Sequence, residues 1–186
     1  DDAVLVKSVQ YISNDNEFIE TAYDYRGNPA YSTMITKLCD FSHRSEFILN
    51  VLVKELEEKS GQQVMILGQN KSILIYLHKA IEHRNIATVG FYVGGMKETD
   101  LKTSETKQVI IATYAMAAEA LDIKTLTTLI LATPRTDVTQ AVGRILRVKH
   151  ERPLVVDIVD SHDVFQRQWA KRRKFYIQNK YKILSI

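Results

Sequence analysis

Short apolar runs alternate with helix-periodic stretches along most of the chain. The helical spacing of apolar residues predicts helices within residues 47–59, 73–81 and 164–179, and a short one near 116–120. Several runs are apolar nearly throughout, which is typical of strands covered on both faces. These runs lie at residues 4–9, 64–67, 88–93, 108–113, 127–133 and 154–159. The alternation predicts an α/β fold with a parallel sheet and helices on both faces.

One region departs from this alternation. Residues 11–40 are polar and rich in turn formers, and Tyr23, Tyr25, Gly27, Pro29 and Tyr31 predict a hairpin or a wrapped loop there.

The stretch from Thr139 to Arg147 has a Q-x-x-G-R-x-x-R pattern. On a helix, Gln140, Gly143, Arg144 and Arg147 fall within one arc of about 100°, and the apolar residues fall on the other side. Two arginines on one face suit a phosphate, because each guanidinium donates two hydrogen bonds at once. The glycine beside them, Gly143, leaves room for a ligand to approach. The alternative is a solvated helix face with salt-bridged arginines.

Ligands of such a sheet bind beyond the carboxyl ends of its strands. Glycines, small hydroxyls and basic residues at these ends suit a phosphodiester backbone, although ordinary turn chemistry explains each of them singly. A carboxylate or hydroxyl at Thr136 or Asp137 is also expected to cap the two-arginine helix. The strand-end positions are Asn70-Lys71-Ser72, Gly94-Gly95, Thr113 and Thr133-Pro134-Arg135.

Two apparent nucleotide motifs are incomplete. A phosphate loop ending at Lys71 and Ser72 would need glycine where Met65 and Asn70 stand. Asp157 follows an apolar strand, as a magnesium-holding acid does, but the next residue is not acidic. Arginines without a cradle predict a half-site that completes a nucleotide site located elsewhere.

Composition narrows the class of protein. A chain of 186 residues with 45% hydrophobic and 25% charged residues is typical of one globular domain. Cys39 is the only cysteine, which excludes an intrachain disulfide and favours a reducing, intracellular compartment. The five histidines lack metal-ligand spacing, and no apolar run reaches the ~18 residues that span a bilayer. Because the chain begins without methionine, inside a predicted strand, we expect an excised domain.

The charge is concentrated at one end. Residues 161–186 hold seven basic residues and one acidic residue, a net of +6, so the remainder carries −3 of the total +3. This predicts a polyanionic partner near the end of the chain, with Arg173 and Lys174 as candidate phosphate contacts. The alternative is that these charges only keep the helix soluble. Four residues at helical spacing predict a stripe that docks on the body, rather than a base-stacking platform: Phe165, Trp169, Arg172 and Tyr176.

An ordered set of motifs resembles superfamily 2 helicases. Residues 109–113 and 119–123 resemble motif V, and residues 140–147 resemble motif VI. Residues 64–72 look like motif IV, and residues 92–95 look like the loop that follows it. The flanks, residues 25–38 and 157–183, are similar to helicases of large DNA viruses, of the poxvirus transcript-release and African swine fever virus type. Ala120 stands where the family usually has glycine, and its methyl group would narrow the approach of a backbone at motif V.

The resemblance implies the second of two RecA-like lobes with ATP between them. Residues 1–61 would form its lead-in strand, hairpin and helix, residues 62–160 its core, and residues 161–186 a basic helix and tail. ATP and Mg²⁺ would be bound mainly by the first lobe, which is the implied protein partner. Arg147 would be the arginine finger on the γ-phosphate, Arg144 would lie beside it, and Gln140 would align the site. The other nucleotide-side residues would be Glu119, Asp122 and Gly143.

The resemblance also implies a nucleic-acid track, with DNA favoured over RNA and a role in viral transcription. A viral protein would be located in the virion or the host cytoplasm. A non-catalytic interaction domain with the same fold is the alternative, and a complete small nucleotide-dependent enzyme is disfavoured by the missing cradle. The track would be lined by Lys71, Ser72, Gly94, Gly95, Thr113 and Thr133, with Arg173 and Lys174 on the last helix.

Overall fold

A computed structural model describes residues 4–117, 123–146 and 153–186. Within these residues seven strands form one sheet, in the order β3-β4-β2-β5-β6-β1-β7, and every neighbouring pair is parallel. The predicted parallel α/β architecture is therefore confirmed. The strands are β1 (Leu5–Tyr11), β2 (Val64–Gly68), β3 (Val89–Tyr92), β4 (Val109–Thr113), β5 (Thr128–Leu131), β6 (Leu154–Asp160) and β7 (Lys182–Ser185).

Seven helices connect these strands in the described residues, together with one 3₁₀ turn at Tyr114–Met116. None of these helices has both the length and the apolar composition needed to cross a lipid bilayer. The helices are α1 (Asn16–Ile19), α2 (Tyr31–Asp40), α3 (Ser42–Glu58), α4 (Lys71–His83), α5 (Glu98–Ser104), α6 (Thr139–Ile145) and α7 (Asp163–Gln178).

The core lies on both faces of the sheet, because alternate strand residues point to opposite sides. In β2, Val64 and Ile66 join the cluster that holds the apolar residues of α2, α3 and α4. Met65 and Leu67 join a second cluster with apolar residues of α6 and α7. Coverage on both faces explains why the central strands read as continuous apolar runs rather than as alternating ones.

The structure corrects the sequence prediction at several places, and it includes two short helices that were not predicted, α1 and α5. Residues 11–40 are not mainly hairpin, because α2 occupies residues 31–40, and the hairpin-like part is a turn closed by a bridge between Tyr23 and Pro29. The last residues form an edge strand, β7, which pairs with β1. Strands from the first and last predicted segments therefore belong to the same sheet as the core.

Candidate nucleotide and nucleic-acid site

Four of the predicted positions lie at the ends of neighbouring strands. Since all strands are parallel, their carboxyl ends share one edge of the sheet, and β3, β4, β2 and β5 follow one another along it. Gly94 and Gly95 follow β3, Thr113 ends β4, and Lys71 follows β2. The structure thus brings these residues to one continuous edge, which we call the strand-end edge.

The start of α4 is fixed by its own hydrogen bonds. The side chain of Asn70 accepts from the backbone N–H of Ser72 at 2.8 Å and caps the helix. The Ser72 hydroxyl lies 2.8 Å from Asp40 Oδ1 and 2.9 Å from Asn70 Oδ1, so its single proton is shared by internal acceptors. A phosphate, which needs a donor, is better served by the exposed Lys71 than by Ser72.

The loop after β3 is open to solvent. A methyl group added at Gly94 or Gly95 would have no neighbouring atom within 4 Å, so packing does not require glycine at either position. Gly95 has φ +85°, which favours glycine for conformational reasons. Beside it on the edge, Thr113 is half-buried at the end of β4. These residues leave space for the backbone of a strand to approach.

Thr133 does not belong to this surface. Its side chain is fully buried, and its Oγ1 has no hydrogen-bond partner among the described residues. Its carbonyl accepts from the hydroxyl of Tyr114 at 2.7 Å, and burial raises the pKa of that tyrosine well above its usual range. The predicted contact between the Thr133 side chain and nucleic acid is therefore wrong, because the 3₁₀ turn after β4 packs over it.

The entry to α6 forms a small polar pocket. Asp137 Oδ1 accepts from the backbone N–H of Thr139 at 2.9 Å, and this hydrogen bond lowers the pKa of Asp137. The predicted capping role of Asp137 is thus confirmed. Gln140 is exposed and lines a pocket of about 210 Å³ together with Asp137 and Arg135. The guanidinium of Arg135 lies 4.8 Å from the ring centroid of Tyr114, which forms the base of the pocket.

Gly143 faces a helix rather than open space. A methyl group at this position would lie 3.6 Å from Phe175 Cζ of α7, and the residue is half-buried. One side of Gly143 therefore faces α7, and its contact with a nucleotide stays a prediction. Among the other predicted nucleotide-side residues, Arg147, Asp122 and Glu119 lie outside the described residues. So does the side chain of Arg144, whose backbone belongs to α6.

A buried polar network joins α7 to β6. Arg172 Nε and Nη2 donate to the two carboxylate oxygens of Asp157, each at 2.9 Å, and Tyr176 donates to Asp157 Oδ2 at 2.7 Å. Burial lowers the pKa of Arg172, but the adjacent Asp157 carboxylate more than offsets this effect, and the net change is upward. Because both oxygens of Asp157 accept hydrogen bonds inside the protein, this acid is not placed to hold a metal ion.

The docking stripe predicted on the last helix is confirmed. Phe165, Arg172 and Tyr176 are buried and Trp169 is half-buried, so this face of α7 packs on the body of the protein. The predicted basic contacts lie elsewhere. Arg173 and Lys174 are exposed but ten or more residues into α7, about 15 Å along the helix from the carboxyl edge of β6. They therefore form a surface separate from the strand-end edge.

Two pocket residues had no assigned role in the sequence. Arg135 was visible only as one basic residue in a strand-end turn, and Tyr114 had no signal beyond its position after a strand. Their meeting depends on the 3₁₀ turn at Tyr114, which apolar periodicity does not reveal.

The pocket fits one edge of a nucleotide rather than a whole one. Its guanidinium and carboxamide suit a phosphate or ribose, but its volume is below the roughly 300–1,000 Å³ of complete ligand sites. For Mg²⁺ the donor set does not fit. No cluster of three or more His, Cys, Asp or Glu side chains that could hold a metal ion occurs in residues 4–117, 123–146 and 153–186.

Comparison with known proteins supports the resemblance. A protein of Acanthamoeba polyphaga mimivirus, provisionally named an ATP-dependent RNA helicase, is 40% identical over 186 residues, which is 97% of this chain. An African swine fever virus protein with the same provisional description is 29% identical over 104 residues, or 54% of the chain. The chain is a relative of these two viral proteins. It spans only 36% and 20% of their lengths. No protein-family model matches the chain.

Solved structures show the same fold. T4 UvsW superposes with a TM-score of 0.76 at 16% identity, covering 99% of this chain and 41% of that protein. The C-terminal domain of the DEAD-box protein Dbp5 superposes with a TM-score of 0.62 at 14% identity, covering 99% of this chain and 91% of that domain. The chain therefore has the fold of a second RecA-like helicase domain, as the sequence predicted.

Proposed function

We propose that this chain is the C-terminal lobe of an ATP-dependent nucleic-acid helicase or translocase, in which α6 completes an ATP site begun on another lobe. One observation carries the proposal. The helix in which the Q-x-x-G-R-x-x-R pattern begins, α6, is the next element after β5, at the end of the row of strand ends that holds Lys71, Gly94 and Gly95. The relationship to the two viral proteins supports ATP use, and Dbp5 supplies a structure of the same fold bound to RNA and ADP BeF₃.

The roles follow from charge and position. ATP supplies the free energy of the cycle, and its phosphates and Mg²⁺ would be held mainly by the other lobe. Arg147 supplies positive charge where negative charge develops on the transferred phosphoryl group, with Arg144 beside it. Gln140, which lines the pocket at the entry to α6, orients the site. Repeated closing and opening of the lobes then moves the protein along the strand.

The nucleic-acid track of this lobe is the strand-end edge. Lys71 contributes charge, and the open loop at Gly94 and Gly95 lets the sugar-phosphate backbone approach. Thr113 completes this surface between them. The preference for DNA stays a prediction, and the viral relatives carry names that specify RNA. Competition between single-stranded DNA and RNA of one sequence, in binding and in stimulation of turnover, decides between them.

The test is the kinetics of Arg147→Ala in the full-length protein that contains this chain. An arginine finger acts on the transition state, so kcat is expected to fall by about 10³-fold or more while the nucleotide Kd stays within a few-fold. Arg26→Ala, an exposed arginine in the turn between α1 and α2, is the control and should leave kcat unchanged.

Three results would contradict the proposal. Near-normal kcat in Arg147→Ala would indicate that the helix is a solvated surface without a role in ATP hydrolysis. Nucleic-acid-stimulated ATP hydrolysis by residues 1–186 alone would show that the chain is not a half-site. Tight nucleic-acid binding without any turnover by the full-length protein would favour the non-catalytic interaction domain instead.

A further inference from the structure

One side chain of α7 bridges two parts of the fold. Arg172 is 1% exposed and binds both oxygens of Asp157 in β6. Its remaining nitrogen, Nη1, donates to the backbone carbonyl of Arg135 at 2.8 Å. That carbonyl lies in the loop between β5 and α6, four residues before α6 begins at Thr139. A single guanidinium thus ties the last helix, a central strand and the entry loop of α6 together.

The same strand contains a second arginine–aspartate pair that makes no such link. Arg44 of α3 is fully buried, and its Nε and Nη2 donate to the two oxygens of Asp160 at 2.8 Å each. Its Nη1 has no hydrogen-bond partner among the described residues. The two pairs share geometry and burial, so the bond to Arg135 is an addition specific to α7 rather than a requirement of the pairing.

A second contact between α6 and α7 lies further along α6. The ring of Phe175 faces Gly143, and its Cζ would lie 3.6 Å from a methyl group added at that glycine. Arg172 and Phe175 are three residues apart, on neighbouring turns of α7. One stretch of α7 therefore contacts both the entry loop of α6 and its middle.

We propose that Arg172 is a positioning residue of the ATP site, which sets the placement of α6 by holding the carbonyl of Arg135. The inference rests on the proposed function, because that function makes α6 part of the ATP site. With the carbonyl fixed, the Arg135 side chain stays over Tyr114 and the pocket beside Gln140 keeps its shape. Without that bond, the only hydrogen bond between an α7 side chain and this loop among the described residues is the exposed one from Gln168 Nε2 to Thr136 Oγ1, at 3.2 Å.

The experiment compares Arg172→Lys with Arg44→Lys in the full-length protein. A lysine keeps the charge beside its aspartate, but a single ammonium group does not span the two carboxylate oxygens and a backbone carbonyl as a guanidinium does. Amide hydrogen exchange is measured without ATP or nucleic acid. We expect exchange in peptides covering residues 133–142 to quicken about tenfold or more in Arg172→Lys, and to stay unchanged in Arg44→Lys. Equal exchange of these peptides in the two variants would overturn the inference.

A second variant covers the case in which Arg172→Lys does not fold. Tyr176→Phe removes one of the three hydrogen bonds to Asp157, so the carboxylate that anchors the guanidinium of Arg172 is held less firmly while Arg172 itself is kept. A few-fold faster exchange at residues 133–142, with unchanged exchange in α3, supports the inference. Unchanged exchange at both places overturns it.

Kinetics separate this inference from the proposed function. If the wild-type protein hydrolyses ATP, Arg172→Lys should lower kcat by about ten- to a hundredfold relative to Arg44→Lys, with KM for ATP within a few-fold. Equal kcat values in the two variants would overturn the positioning role. A wild-type protein without turnover would refute the proposed function, while the exchange data would still decide whether Arg172 holds the loop.

Discussion

Removing the charge of Asp157 should destabilise the protein strongly. The carboxylate is fully buried and accepts three hydrogen bonds, two from Arg172 and one from Tyr176. In Asp157→Asn the guanidinium loses its counter-charge but stays buried, and the new amide group points its own donors at two existing donors. Breaking one side of a buried ion pair costs about 3–5 kcal/mol.

This loss of stability can be expressed as a decrease in Tm. Unfolding entropy near the midpoint is about 2.1 cal/mol/K per residue, or about 0.4 kcal/mol/K for 186 residues. A loss of about 3–5 kcal/mol then lowers Tm by about 8–13 °C. Thermal scans followed by circular dichroism give this shift, and guanidinium titrations with an unchanged m-value confirm that stability, rather than compactness, has changed.

A double variant provides the control. Asp157→Leu with Arg172→Met removes both charges together, so it should be clearly more stable than Asp157→Asn, although the Arg135 carbonyl still loses its donor. If Asp157→Asn lowered Tm by only about 1–2 °C, water would have to reach the pair, and the reasoning from burial would be refuted.

Three further outcomes are expected. Replacing both Arg173 and Lys174 with glutamine should weaken binding to all nucleic-acid sequences alike. In anisotropy titrations across a salt series, the slope of log K against log salt should become shallower by roughly one unit per lost phosphate contact. An unchanged slope would show that both residues are solvated surface. The hydrogen bonds from Arg84 hold the pKa of Glu46 at about 2, below its ordinary 4.5, so its stabilisation is present above that ordinary value and is lost as pH falls towards 2. Because the pair is partly exposed, Glu46→Gln should reduce the acid sensitivity of the denaturant midpoint only slightly, and a large loss of stability at neutral pH would contradict this. Burial raises the pKa of the Cys39 thiol to about 12, so a thiol reagent should label it only as fast as the native protein opens, and rapid labelling would place this thiol at the surface.

The sheet could be predicted from the sequence because its central strands are covered on both faces. Residues 64–67 are apolar without a break, residues 154–159 are interrupted only by Asp157, and the structure buries every residue of β2 and β6. The parallel arrangement then followed from the helices between the strands. Where an element is exposed this signal disappears, and β7, with only one half-buried residue, was not predicted.

The helix α2 was missed for a different reason. Met34, Ile35 and Leu38 are all buried and stand at helical spacing, but Pro29 and the tyrosines before them indicated turns. A helix of ten residues contains only two or three apolar residues at helical spacing, so its periodicity is a weak signal. In the prediction, the turn-forming residues therefore outweighed this weak helical periodicity. In the fold, tertiary packing of the apolar face stabilises the helix.

The sequence predicted where the site residues lie in the fold, but it did not predict the solvent exposure of their side chains. Strand ends could be located from apolar runs, which correctly grouped Lys71, Gly94, Gly95 and Thr113 on one edge. The depth of Thr133 depends on what packs over it, and that residue is distant in sequence. Asp157 was considered from the sequence only as part of an incomplete magnesium motif, and its burial and its need for a partner were not predicted. Only the fold shows which arginine supplies it.

The two acids of β6 also control how this strand lines up with its neighbours. Asp157 and Asp160 are three residues apart, so they point to opposite sides, one towards Arg172 and the other towards Arg44. A slip of β6 by one residue would turn both carboxylates to the wrong sides and leave four buried charges apart. Folding intermediates with a shifted register of β6 are therefore destabilised by the loss of both ion pairs. An insertion or deletion of one residue within β6 is expected to prevent folding, whereas the exposed turn at residues 23–29 should accept changes in length.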